Sequence, residues 1–466
     1  MNDFSLLESM RIRMKQSMGL KLIVVCGLAL LMAIPALFVS SVVEDRTKRA
    51  TDVVQEISAH VGGPQTFLGP TVAIPYTIPP RFQTDTPKHG MYLVFPTRAT
   101  AGLRTTTEER RRSLFKVPVF QAELKLDGAF DLAGVPAAAP QGAELDWSRA
   151  EIVVGASDAR GALTEAMLTV DGKNYTLAPA EISQNIFVDG AQSPQCKLML
   201  FGTKVAGSIK PDAQFSVSST LRFSGAQRIA VLAYGKTTQV NVQGDWPSPG
   251  FDGGFLPVKR TVSKNGFTAE WSVPFIARGV RAEGPGDAIT GLDATALGIS
   301  FIEVADPYQS VNRSLKYIPL FLGLVFLSYF VFEATTGKRV HFAQYILVGI
   351  AQLIFYLLLL SLAERIGFGF GFLLAGVATV LLLSANAAWI FSSRLQGFRA
   401  FAIFSLLYTL IYLLLRLEDN ALLVGAIASF LAVAAVMYFT RGLDWYGSLP
   451  VKEPAGERQI APGQSA

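Results

Sequence analysis

Residues Ser314 to Ala334 read SLKYIPLFLGLVFLSYFVFEA. From Tyr317 to Phe332 the run carries no charge, and Lys316 and Glu333 bracket it. An apolar run of this length fits the hydrocarbon core of a bilayer, and charged side chains at its ends can reach the headgroups. The stretch therefore predicts a transmembrane helix. It also divides the chain: residues 44–313 before it are polar and β-patterned, and almost everything after it is hydrophobic enough for a membrane.

Half of the 466 residues are apolar, a high share for a soluble globular protein. The formal net charge is +5, yet residues 44–313 hold 27 Lys and Arg against 27 Asp and Glu. The positive excess thus belongs to the membrane segments and their flanks. A nucleic-acid binder would carry a basic patch on a folded domain; Arg110-Arg111-Arg112 is the one candidate, and behind Glu108-Glu109 it reads as a solvated turn. Of two cysteines, Cys26 lies in the first apolar segment and Cys196 in the polar region, so no intrachain disulfide is expected. Cys196 reads as a buried apolar residue. Residues 44–313 are enough chain for their own core, and two lobes are expected.

Upstream, residues 1–21 are a cytoplasmic segment with Arg11, Arg13, Lys15 and Lys21, and Leu22–Val43 is charge-free. That core is longer than a cleavable signal requires, so a retained anchor is expected. Thr47–Val61 continues at helical period, with Val53, Val54, Ile57 and Val61 on one side, and stops at Gly62-Gly63-Pro64. The pattern then turns to β. Thr71–Ile78 and Met91–Phe95 are β-rich. Phe215, Val217, Ser219, Leu221 and Phe223 alternate with polar neighbours, and Phe267, Ala269, Trp271, Val273 and Phe275 do so after Asn265-Gly266, a hairpin signal that Asp171-Gly172 repeats. Ala133–Ala143 reads as a loop or lobe boundary.

Downstream, apolar segments fall at 314–334, 342–363, 366–393, 400–417 and 420–440, with a tight turn at Arg416–Asn420 and a polar tail within 441–466. The fold class expected is a six-helix membrane bundle with an all-β or β-rich domain between the first and second helices. Arg11, Arg13, Lys15 and Lys21, then Lys338 and Arg339, Arg394 and Arg399, and Arg441, Lys452 and Arg458 all fall on one side, against Arg365 and Arg416 in the short loops opposite. The positive-inside rule places both termini in the cytoplasm and the large domain outside. Arg46, Lys48 and Arg49 pull the other way and are outweighed.

Catalytic patterns are scarce. His60, His89 and His341 have no second ligand at metal spacing, so neither a metal nor a cofactor is expected, and no nucleophile motif stands out. Asp158 and Arg160 pair across the turn Ser157–Gly161, which reads as a locked loop, though ion pairs also mark sites. Polar residues inside spans often serve function. Glu333 and Glu364 sit at span ends and are expected to reach water. Asn386 and Gln352 lie deeper and are expected to bond between helices. No chain of titratable groups suggests a proton relay.

Several segments in order carry a resemblance. They are Gly63-Pro64-Gln65, Gly69-Pro70, Ile74-Pro75-Tyr76, Ser157–Gly161, Phe255-Leu256-Pro257 with Arg260, and Gly266-Phe267 with Ala269 and Trp271. Asp306-Pro307-Tyr308-Gln309, Arg313, Lys316-Tyr317, Phe332-Glu333, His341, Gln344-Tyr345, Thr440-Arg441 and Asp444-Trp445-Tyr446 continue it. Together they resemble the inner-membrane CreD family of Gram-negative bacteria, the colicin-tolerance or cell-envelope-integrity proteins. The resemblance implies a polytopic inner-membrane protein with a large periplasmic domain, linked to envelope stress, and brings no catalytic residues with it. The joint at Asp306–Glu333 is its most specific part; Asp306 and Arg313 there read as coupling residues or as a fixed angle between domain and bundle.

The expectation is a non-enzymatic protein that supports envelope integrity by binding an envelope protein or a lipid-linked ligand through its external domain, with lipid its other partner and nucleic acid none. Two rivals stand beside it. A transporter or lipid flippase would use helices two to six. An envelope hydrolase would require Asp158, Arg160 and a histidine to meet in a cleft.

Overall fold

A computed structural model describes residues 18–441 apart from 81–85, 113–114, 181–186, 191–192, 206–208, 287–290, 302–306 and 417–420. The side chain of Cys196 and the whole of Asp306 lie outside that description, as do the Arg416–Asn420 turn beyond Arg416 and the tail beyond Arg441. The chain forms two compact units: a helical one, 1–47 with 305–466, and a β one, 48–304.

In the helical unit, α1 (Met18–Leu31) and α2 (Ala33–His60) follow one another, α2 running through the unit boundary. Then come α3 (Pro307–Leu315), α4 (Ile318–Thr336), α5 (Phe342–Ile366), α6 (Phe368–Ile390), α7 (Arg394–Arg416) and α8 (Ala421–Thr440). Residues 307–313, expected to close the external domain, are helical instead. Among the described residues, five helical stretches (Gly19–His60 and α4 to α7) are long and apolar enough to cross a membrane, and α8 is apolar as well. Helix α4 stops at Gly337, whose φ of +68° is available to glycine and whose N–H donates to the Glu333 carbonyl at 3.1 Å. Helix α5 starts at His341, whose Nδ1 accepts from the Ala343 N–H at 3.2 Å. That histidine is a cap, not a ligand.

The β unit has two large sheets. The first runs β16 (Pro249–Gly253), β20 (Ala296–Phe301), β14 (Arg228–Leu232), β1 (Gln65–Ile78), β6 (Glu151–Ala156), β12 (Met199–Thr203) and β9 (Ala178–Pro179); β2 (Lys88–Val94) and β5 (Glu144–Leu145) also pair with β1, and β19 (Glu283–Pro285) with β2. The second runs β17 (Lys259–Ser263), β18 (Gly266–Val273), β15 (Thr237–Gly244), β3 (Arg98–Arg112), β4 (Phe115–Asp131), β13 (Gln214–Ala226), β7 (Met167–Val170) and β8 (Lys173–Thr176). A short hairpin, β10 (Phe187–Gly190) with β11 (Ser193–Lys197), stands apart.

One core joins both sheets, from Phe67, Ile74, Val153 and Ile299 in the first to Leu124, Val217, Leu221 and Trp271 in the second. The two-lobe expectation gives way to a sandwich, because both sheets turn their apolar faces to each other. The alternation that reveals β13 is borne out: residues 215, 217, 219, 221 and 223 are buried. Phe275 departs from the pattern of β18. Pro274 has no N–H to extend the ladder, and Phe275–Arg278 becomes a helical turn. The Asp171-Gly172 hairpin holds, with φ +46° and +82°. The second hairpin shifts by one: Ser263 pairs with Gly266, so Lys264 and Asn265 form the loop. The Arg110–Arg112 run ends strand β3 opposite β4 rather than forming a turn, with Arg110 paired to Glu108 at 2.9 Å and Arg112 to Glu56 at 2.5 Å.

Candidate functional site

The turn expected at Ser157–Gly161 is present and is a structural knot. Asp158 caps it, accepting from the Arg160 N–H at 2.9 Å, and its carboxylate also holds the Arg160 guanidinium, whose Nη2 lies at 2.6 Å. The neighbours explain the glycines. Gln65 Nε2 donates to the Gly62 and Asp158 carbonyls at 2.8 and 3.0 Å, and Ser157 Oγ donates to the Pro64 carbonyl at 3.0 Å. A Cβ on Gly62 would stand 2.7 Å from the Gly161 Cα, and one on Gly161 would run into the Ser224 carbonyl. The knot ties the end of α2 to β1, β6 and β13, where Val54, Ile57 and Val61 pack with Val117, Val119 and Ala226. Histidine is absent from the described partners of Asp158 and Arg160, so the condition that would favour a hydrolase is not met there.

The helical unit collects polar side chains in its interior. Glu333, expected to reach water, is 3% exposed. Lys21 of α1 forms an ion pair with it, the Val340 N–H donates to its Oε1 at 3.0 Å, and Tyr345 Oη donates to its Oε2 at 3.1 Å. Lys21 also donates to the Val340 carbonyl at 3.0 Å. The remote Lys21 and two groups from the turn and helix that follow thus meet at one carboxylate, and burial without such partners would be costly. Further in, Asn386 Nδ2 donates to Tyr329 Oη at 3.3 Å, and that hydroxyl donates to the Leu383 carbonyl at 2.8 Å. This interhelical bond is the one expected of Asn386. Glu364, half-buried at the end of α5, accepts from Tyr308 Oη at 3.0 Å. Arg313 sits half-buried in the last turn of α3, where a cation suits the helix C-terminus.

A third cluster escapes sequence reading. Tyr408 of α7 faces Gln352 and Tyr356 of α5 and Thr379 of α6, all buried. By distance and angle the Gln352 amide and both phenols close no hydrogen bond, so the interhelical bond expected of Gln352 is not formed, although the Tyr408 hydroxyl lies near enough to Gln352 and Thr379 to interact with both. Gln352 is visible in sequence as a polar residue inside a span, but Tyr356 and Tyr408 look like ordinary membrane aromatics. The lone charge of Lys21 at the head of the first span was the available signal for the Glu333 pair; what it pairs with, 312 residues on, was not readable.

The outer face of the eight-stranded sheet carries continuous rows of polar side chains. One row across it reads Lys259, Glu270, Asn241, Gly102, Lys125, Thr220, and the next Thr261, Thr268, Gln243, Arg104, Glu123, Arg222. Nothing lies within 4 Å of the Cβ position on Gly102. A depression of about 800 Å³ forms there, lined by the cations Arg104, Lys125, Lys259 and Arg260 and the carboxylates Glu123 and Glu270. Lys259 pairs with Glu270 at 3.3 Å. Cations outnumber carboxylates two to one, and Thr220, Asn241, Gln243, Thr261 and Thr268 add hydroxyls and amides beside a few small and apolar residues. Chemically this face suits a polar ligand bearing negative groups. Groups of His, Cys, Asp or Glu able to hold a metal do not occur among the described residues.

Comparison with known proteins fits these features. The family model described as inner membrane protein CreD matches residues 17–446. The inner membrane protein CreD of Escherichia coli (strain K12) is 29% identical over 443 residues, which covers 92% of this chain and 94% of the relative.

Proposed function

This chain belongs to the CreD family of inner membrane proteins, and from that premise we propose that it supports cell-envelope integrity, stress resistance and colicin tolerance by binding an envelope component on its β unit. The role is non-catalytic. The chain spans the inner membrane six times, with both termini in the cytoplasm and the β unit in the periplasm between the first and second spans. The distribution of Lys and Arg supports that orientation. The observation that carries the binding reading is the depression on the outer sheet face, whose cation excess and hydroxyl and amide lining match an anionic envelope protein or lipid-linked headgroup.

The test is rescue of a deletion strain, scored by sensitivity to detergent, colicin and a cell-wall antibiotic. Reversing Arg104, Lys125 and Lys259 to Glu in the full chain leaves the core untouched, since all three lie on the outer face of the sheet. Loss of rescue at an unchanged protein level is the expected result, and full rescue would overturn the reading. One observation favours a second reading, transport or lipid flipping by the helices: the unbonded Gln352, Tyr356 and Tyr408 cluster. Residues 44–313 on an unrelated single-span anchor separate the two. Rescue by that chimaera leaves no place for transport.

A further inference from the structure

Between α6 and α7 a groove of about 600 Å³ opens on the flank of the bundle. Gly369 and Gly376, two turns apart on α6, form its floor, and Phe370, Leu373 and Val377 stand exposed along its rim. Helix α7 supplies the other wall with Ser405, Tyr408, Thr409, Tyr412 and Arg416. Their spacing of three, four, seven and eleven residues keeps them on one helix face. Among the described residues α8 adds none to the lining. A Cβ on its Gly425 would lie 3.8 Å from Leu414, which is two residues, or about 200°, round α7 from Tyr412.

One end of this apolar groove is cationic. Arg416 is exposed, and its guanidinium rests on Tyr412, 5.5 Å from the ring centroid, donating to the Tyr412 hydroxyl from Nε and Nη2 at 3.3 and 3.1 Å. Nη2 also lies 3.7 Å from the Cβ position of Gly369, so the glycine leaves open the space beside the cation. Ion pairs of the described residues do not include Arg416. From Ser405 to Arg416 the wall is roughly 17 Å long by the 1.5 Å rise of a helix, close to the ~15 Å depth of one leaflet's hydrocarbon. An apolar groove on a membrane helix bundle is filled by chains, not water, and a guanidinium at its interfacial end matches a phosphodiester.

We propose that the α6–α7 groove is a specific site for one membrane glycerophospholipid, its acyl chain lying over Gly376 and its phosphodiester on Arg416 and Tyr412. The site is separate from the sheet face of the β unit and stands or falls independently of it. The test uses the full chain in maltoside detergent and native mass spectrometry. Four probes are compared: dioleoyl phosphatidylglycerol, dioleoyl phosphatidylethanolamine, dioleoylglycerol, which lacks the phosphate, and glycerol 3-phosphate, which lacks the chains. Both phospholipids are expected to be retained at one per chain, and the other two to be lost. Arg416→Gln is expected to weaken phospholipid retention about tenfold, the scale of one charge-assisted contact, and Gly376→Leu to abolish it. Both variants are checked for an unchanged elution profile. Retention of dioleoylglycerol equal to the phospholipids, or indifference to Arg416→Gln, would reduce the groove to ordinary boundary lipid. Retention of glycerol 3-phosphate alone would make it a phosphate site and overturn the chain's part in it.

Discussion

The β unit and the helical unit bury polar groups in opposite ways. In the β unit Gln65, Ser157, Tyr234 and Arg278 are buried and turn mainly to backbone carbonyls. Tyr234 Oη shares its proton between the Thr100 and Asp127 carbonyls, both at 2.9 Å, and Arg278 Nε donates to the Ala233 carbonyl at 2.8 Å while its guanidinium stacks 4.3 Å from the Phe95 ring centroid. Strands and loops alike leave carbonyls able to accept, and such side chains pin them. Burial without a carboxylate lowers the Arg278 pKa to about 10, still high enough to keep the cation. In the helical unit the helices use up their own backbone groups. Buried hydroxyls such as Thr379 and Ser384 turn back to carbonyls of their own helix, so the coupling between helices falls to side chains that meet, as Lys21, Glu333 and Tyr345 do, while the Gln352 amide closes no bond. Polar burial fixes the frame in one unit and couples separate helices in the other.

Glu333→Leu is the hardest test of that contrast. It leaves the Lys21 ammonium, the Val340 N–H and the Tyr345 hydroxyl without their acceptor, and breaking a buried pair costs about 3–5 kcal/mol. Thermal melting of the detergent-solubilised chain should drop sharply, and envelope rescue should fall with protein level. Adding Lys21→Met should restore most of the loss, because an apolar pair of similar size is often as stable as the ionic one. A Glu333→Leu protein that melts normally would break the comparison.

In the β unit the matching change is Gly161→Ala. The added Cβ meets the Ser224 carbonyl and comes within 2.7 Å of Gln65 Nε2, and overpacking of this kind costs about 1–3 kcal/mol. Asp158→Ala removes only a cap and an exposed ion pair, so about 1 kcal/mol is expected. Denaturant midpoints of the full chain rank the two. If Asp158→Ala instead abolished rescue at normal stability, the turn would be a site and not a knot.

What could be read in the sequence follows the range of the interaction. Period-two burial in β13 and the long apolar helices depend on neighbours a few residues away; the alternation stands as expected, and five of the helical stretches are long and apolar enough to cross a membrane among the described residues. The hairpin at Asp171 also stands as expected. Contacts between distant segments were not visible: the parallel pairing of β1 with β14 and of β3 with β15, the single core that replaced two lobes, and the partner of Glu333. Glu333 shows why. Its place at the end of an apolar run is the same whether it reaches water or receives a lysine from the first helix, and only the fold brings Lys21 to it. Asn386 was read correctly because the Tyr329 hydroxyl of another helix lies within its reach, whereas the same reasoning failed at Gln352, whose amide closes no such bond.

A smaller effect is expected at the surface of the β unit. Arg112 donates to the Glu56 carboxylate and holds its pKa below the ordinary 4.5, first by that hydrogen bond and then by charge. A lowered carboxyl pKa adds stability that is present above pH 4.5 and disappears as pH falls through the lowered value. Melting temperatures of the wild type and Glu56→Gln should therefore differ slightly near neutral pH and converge below 4.5. The pair is solvent-exposed, so 0.5 M salt should shrink the difference at every pH.

The least expected effect on stability, and the most telling for function, comes from Gln352→Leu. A buried amide without partners is a penalty to the fold, and an apolar residue of similar size removes that penalty. Melting should be unchanged or higher by about 1 kcal/mol equivalent, and the same holds for Tyr408→Phe. Destabilisation instead would mean that ordered water bonds this cluster into the frame, as backbone carbonyls do for the β unit, and the contrast between the units would narrow. Stability kept with rescue kept would leave the helices as an anchor for the β unit. Stability kept with rescue lost would mean that these unbonded groups are retained for a task, and transport through the bundle would then displace binding at the sheet face as the better account.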